Sequence, residues 1–145
     1  MNYQQISELA IAKNALTLLS DLNDRFLEGC TKNQTSQEFQ TRLEVSGSSI
    51  RIDCFGHEAT ADSRLVRAPT GEFAAEYVFN IRHGESRVEV WRCYVTSNGK
   101  LAQDPNAQVT FCDYNNSYVA NHICGPVLLG ALQSKIFAVA PGEGG

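Results

Sequence analysis

A histidine and a cysteine stand close together, His122 and Cys124, in the stretch NHICGPVLLGAL at 121–132. A thiol at a helix N-terminus is drawn toward its thiolate by the helix dipole, and a neighbouring imidazole can take the proton, so such a pair can act as a nucleophile. The sequence ties no third, orienting group to them. A free cysteine beside Gly-Pro-Val-Leu-Leu commonly packs as a small hydrophobe. Packing is therefore the expected role of Cys124 and His122, with thiol chemistry subordinate to it. Cys112, Asp113, His122 and Cys124 are the only dense set of metal-ligating types, and their C-x9-H-x-C spacing fits no structural zinc pattern. His57-Glu58 opens HEATA and not HExxH, so a metalloprotease helix fails at its second histidine. These patterns assign no catalytic residue, no metal and no cofactor.

The segment 55–71 carries His57, Glu58, Arg64 and Arg67, and reads as a long loop with a short strand near 64–68. Imidazole, carboxylate and guanidinium groups on a loop above a sheet suit a small-molecule site, and they equally suit a solvated loop. Arg51, Arg64, Arg67, Arg82, Arg87 and Arg92 place half of the 12 basic residues between positions 51 and 92. Glutamates interleave with them, which argues against a nucleic-acid stripe.

The elements that must position these groups are legible in part. Apolar residues at three- and four-residue spacing predict an amphipathic helix over 3–28, ended by Gly29. The polar run 31–38 then connects to a hairpin turning at Gly47-Ser48. That turn pairs Val45 with Ile50, Leu43 with Ile52 and Thr41 with Cys54 on one face, and Glu44 with Arg51 and Arg42 with Asp53 on the other. Both faces are satisfied by one register, which a slip of one residue would invert.

A second hairpin turns at Gly84-Glu85. Unbroken pairing from that turn puts Ile81/Val88, Phe79/Val90, Tyr77/Arg92 and Ala75/Tyr94 on the core side. It leaves Val78/Trp91, Glu76/Cys93 and Ala74/Val95 on the reverse. Two candidate sites follow. Trp91, Val78, Val95 and Cys93 form an apolar patch on the second face, an interface in need of a cover. Arg92, Tyr77, Tyr94, Phe79 and Phe111 line a pocket between the first helix and the concave sheet, with the 56–70 loop as a lid. Asn98-Gly99 predicts a two-residue hairpin, 108–114 a further strand, and Gly125-Pro126 the start or restart of an apolar helix.

The expected fold is α+β: a long N-terminal helix packed on a curved antiparallel meander of five or six strands, with a C-terminal helix. One domain spans 1–145, with helix at 3–28, sheet at 39–114, helical structure at 117–138 and a flexible tail at 139–145. The 145 residues, 43% hydrophobic and 19% charged, suit a folded domain, and the net charge of −4 gives no overall attraction to nucleic acid or anionic membrane. Five widely spaced cysteines without a CxxC pair, and an N-terminus lacking a basic-then-apolar order, point to reduced thiols and a cytoplasmic location. The function expected from these features is non-enzymatic. It is that of a protein-binding adaptor, chaperone-like or regulatory protein that self-associates through its sheet as a homo-oligomer. The alternative is a small-molecule-binding domain or enzyme built on the helix–sheet pocket.

Overall fold

A computed structural model of the chain describes residues 1–32, 35–36, 39–105, 110–113 and 119–137, with the side chains of 32, 35, 36, 110–113 and 119 left aside. The expected tail at 139–145, the cap residues 115–117 and the side chain of Phe111 lie outside this description. The fold is the expected α+β arrangement, a helix, an antiparallel meander and a second helix.

Helix α1 spans Tyr3–Lys32. Asn2 caps it: its Oδ1 accepts the Gln5 N–H at 2.9 Å, and the Gln5 side chain accepts the Asn2 N–H at 3.0 Å. The helix does not stop at Gly29. Continuing one more turn buries Cys30 completely in the core, which outweighs the roughly 1 kcal/mol that an interior glycine costs. Leu19, Leu22, Phe26, Leu27 and Cys30 form the packed stripe of the C-terminal half.

Among the described residues eight strands follow in sequential order, all antiparallel and curled into a half-barrel. Five are substantial: β2 (Thr41–Ser46), β3 (Ser49–Cys54), β4 (His57–Arg67), β5 (Phe73–His83) and β6 (Ser86–Thr96). Three are short: β1 (Thr35–Ser36), β7 (Lys100–Ala102) and β8 (Thr110–Asp113). The first hairpin has the expected register, Leu43 opposite Ile52, Glu44 opposite Arg51 and Val45 opposite Ile50. Gly47, at φ 60°, supplies the positive φ that its turn requires.

The segment read as a loop is strand β4. Its inward positions are Ala59 and Ala61, too small to announce a period-2 pattern, yet both are fully buried between β3 and β5. The turn that launches it is Phe55-Gly56, with both residues at positive φ (56° and 88°). A phenylalanine in that region is strained and gives no sequence signal for a turn. Asn98-Gly99 also differs from expectation. The Gly99 N–H donates to the Thr96 carbonyl, and only Gly99 is left-handed, so the connection is a three-residue loop.

The second hairpin departs from unbroken pairing after Asn80. Ile81 faces Val88 and Asn80 faces Glu89 as expected, but Phe79 then faces Trp91 and not Val90. Val90 is an extra residue, a β-bulge, and everything beyond it changes face. Trp91, Cys93 and Val95 join Phe79, Tyr77 and Ala75 on the core side, and Arg92 and Tyr94 join Val78 and Glu76 on the other.

Helix α2 spans Val119–Leu132, so Pro126 lies inside it and does not start it. Both helices cover the same face of the sheet. The Phe26 ring lies 5.3 Å from that of Tyr77, tilted by 58°, and the Tyr77 hydroxyl donates to Asn23 Oδ1; together these fix α1 against β5. Ile123, Cys124, Val127 and Ala131 of α2 are fully buried in the same core. Gly130 lets α2 come close to β6: a Cβ there would stand 1.9 Å from the Val90 carbonyl oxygen.

Candidate functional site

The thiol pair comes apart in three dimensions. Cys124 sits in the middle of α2 and is wholly buried, and His122, two residues earlier on a helix, points to another side. Burial, aided by the nearby Cys54 thiol, pushes the Cys124 thiol up to about 12, the reverse of nucleophile activation. Among the described residues no three His, Cys, Asp or Glu side chains converge as a metal cage. His57 packs its ring 5.3 Å from Phe137, edge-on. Arg67 lies at the far end of β4, where its Nε donates to the Gly71 carbonyl at 3.2 Å and its guanidinium covers the Phe73 ring.

The apolar interface patch is not formed. Cys93 and Val95 are buried core residues, and Trp91 lies 6.0 Å from Phe79 against the same core. The pocket between α1 and the sheet is filled by Phe26, Tyr77 and Phe79. Among the described side chains of those two sets only Arg92, Tyr94 and Val78 reach the other face, where Arg92 and Val78 line a groove together with Glu58 and Arg64 of β4.

On that face the strands β4, β5 and β6 enclose a groove of about 690 Å³. Its walls carry Glu58, Asp62, Arg64, Glu76, Arg82, Arg87 and Arg92, with Thr60, Val78 and Asn80 between them. The alternation of strands puts them together: even-numbered residues of β4 and β5 share one face, and the bulge brings Arg92 and Tyr94 to it. No protein-family model, curated protein or solved structure matches the chain. The groove must therefore be read from its own chemistry.

Its organising group is Glu76, only 5% exposed at the side chain. The carboxylate accepts from Arg64 Nε at 2.7 Å and from the Tyr94 hydroxyl at 2.9 Å, with Arg92 Nη1 at 3.6 Å. Arg92 is held on its other side by Glu89 through both Nε and Nη2. Those bonds raise the Arg92 pKa further above its ordinary value, so the guanidinium is a permanent charge. Burial pushes the Tyr94 phenol upward and keeps it a neutral donor. A carboxylate so buried is tolerable only because all its partners are ionic or hydrogen-bonding, and in turn it fixes two arginines on the groove wall.

Sequence reasoning missed Glu76, Asn80, Arg82 and Arg87 as site residues. The signal was present in the matching even-numbered polar positions of 58–64 and 76–82. It becomes readable only once 57–67 is recognised as a strand.

Proposed function

We propose that this chain is a ligand-binding domain whose site is the polar groove on the sheet face opposite the helices. The observation that carries it is the Glu76 cluster: a buried carboxylate holding two arginines and a phenol in fixed positions at a groove of small-molecule size. Preorganised polar groups of this kind lower the ordering cost of binding. The lining is mostly polar, so the ligand is a polar molecule that is recognised by directed hydrogen bonds and charge. The test is amide chemical-shift mapping with a polar fragment library. Perturbations gathered on β4–β6, and lost in Val78→Trp with the rest of the spectrum retained, support the reading. Perturbations gathered elsewhere, or none, refute it.

A second reading, self-association, keeps one observation although the Trp91 patch does not. The N-terminal half of α1 presents Ile6, 51% exposed, and Leu9, 58% exposed, to solvent about one turn apart on the same side. A helix apolar on an uncovered side is a natural contact for a second copy. Light scattering on size-exclusion fractions tests it: a dimer that Ile6→Glu/Leu9→Glu renders monomeric supports it, and a monomeric parent chain refutes it.

A further inference from the structure

We infer that Arg82 and Arg87 are the anchor for an anionic group, carboxylate or phosphate, on the molecule that the groove takes. The inference rests on the groove being the binding site and adds the chemical class of its ligand. The two residues are directly opposed across β5 and β6, next to the Gly84-Glu85 turn. Like charges in directly opposed positions destabilise a sheet. Elsewhere on this face the arginines are compensated. Arg64 and Arg92 share Glu76, Arg92 also holds Glu89, and Arg51 lies 3.9 Å from Glu58. Asp62 is engaged by the Ser49 hydroxyl. Among the described residues neither Arg82 nor Arg87 has an ion-pair partner.

Two uncompensated guanidinium groups side by side at the rim of a groove make a fork for two or more anionic oxygens, since each arginine can donate bidentately. Asn80, the next residue of β5 on this face, lines the same groove and adds an amide. Glu76 and Glu89 hold Arg92 further along the strands, and Glu58 of β4, 3.9 Å from Arg51, is a competing carboxylate of the lining. A bound anion displaces no internal pair.

The experiment is an NMR titration of the full chain with sodium pyrophosphate and, separately, sodium citrate, with ionic strength held constant by sodium chloride. Saturable shifts at Arg82, Arg87 and Asn80 are expected with at least one probe. The tighter probe identifies phosphate or carboxylate as the preferred group. Arg82→Gln and Arg87→Gln each weaken binding about tenfold or more, whereas Arg25→Gln on the exposed face of α1 leaves it unchanged. Glu58→Gln strengthens it. Equal affinity in parent and both arginine variants overturns the inference, as does the absence of saturation with both probes. If polar fragments still map to β4–β6 while neither anion binds, the anchor fails and the groove reading stands. If neither class binds, both fail.

Discussion

Replacing glycine by alanine inside a helix ordinarily stabilises it by about 1 kcal/mol. At Gly130 the opposite outcome is expected. The new Cβ would sit 1.9 Å from the carbonyl oxygen of Val90 and 2.8 Å from its carbonyl carbon, both backbone atoms of a bulged strand within the sheet. Neither can swing aside, so α2 must lift by roughly 1 Å, a gap that forfeits a quarter to a half of each dispersion contact it opens. The contacts at stake include Val127, Leu128 and Ala131 of α2. Overpacking of this kind costs about 1–3 kcal/mol and at times more. A 1.9 Å clash with backbone belongs at the upper end of that range, so with the propensity gain subtracted Gly130→Ala is expected to lose about 2 kcal/mol net, or about 4–8 °C in Tm for a domain of this size. Gly125→Ala is the internal control, since it carries the same propensity gain. Its Cβ would stand 2.8 Å from the Phe39 ring, a side chain that is 40% exposed and has room to turn. It should stay within about 0.5 kcal/mol of the parent chain. Urea unfolding followed by Trp91 fluorescence, with both variants measured side by side, decides the matter. Equal stability of the two would refute the close packing of α2 on β6.

Burial raises the thiols of Cys54, also acted on by Asp53, and Cys124 from 9.0 to about 11 and about 12. The folded chain therefore keeps protons that the unfolded chain gives up above pH 9. Stability is full below pH 9 and falls as pH rises toward 11–12; Cys124→Ala should reduce that slope in urea melts, and an unchanged slope between pH 9 and 11 would count against it. Phe55 holds a positive φ but also meets Phe137 edge-on at 5.9 Å. Relief of strain and loss of the ring contact are each worth about 1 kcal/mol. Phe55→Asn should thus be nearly neutral in the parent chain and stabilising by about 1 kcal/mol in a Phe137→Ala background, read by a double-mutant cycle. Glu76→Gln should cost about 1–2 kcal/mol in urea unfolding, below the 3–5 kcal/mol of a fully stranded charge. The cost is moderated because Arg64, 71% exposed, regains water when its partner is lost. No loss at all would mean that the carboxylate does not organise the groove.

How much of this fold the sequence discloses depends on whether two independent signals agree. In the first hairpin, apolar pairs on one face and opposite charges on the other demand the same register, and the register is found. Strand β4 offers neither signal. Its buried positions are alanines, and its turn is the unfavourable Phe-Gly, so the pattern resembles a polar loop. The bulge in β6 is a subtler failure. Near the turn the pairing follows the pattern, but Val90 and Trp91 are adjacent apolar residues, and hydropathy does not say which of two neighbours faces the core when the backbone lets both do so.

That single inserted residue also decides which side chains reach the groove. In the unbroken register Arg92 would lie among Tyr77 and Phe79, a charge on the apolar side, with Trp91 turned outward. The bulge exchanges them: Trp91 packs against the core beside Phe79, and Arg92 reaches the carboxylates of Glu76 and Glu89. It thereby removes an unpaired charge from the core and an apolar patch from the surface in one step. The same shift aligns Tyr94 with Glu76 across the strands, and without it the buried carboxylate would lose a donor. Before the bulge the pairing is undisturbed, which keeps Arg82 and Arg87 directly opposed. The turn alone fixes the opposition of Arg82 and Arg87, and the bulge adds the compensated Arg92 to the same face, so the polar groove is the joint product of a regular hairpin end and one local irregularity.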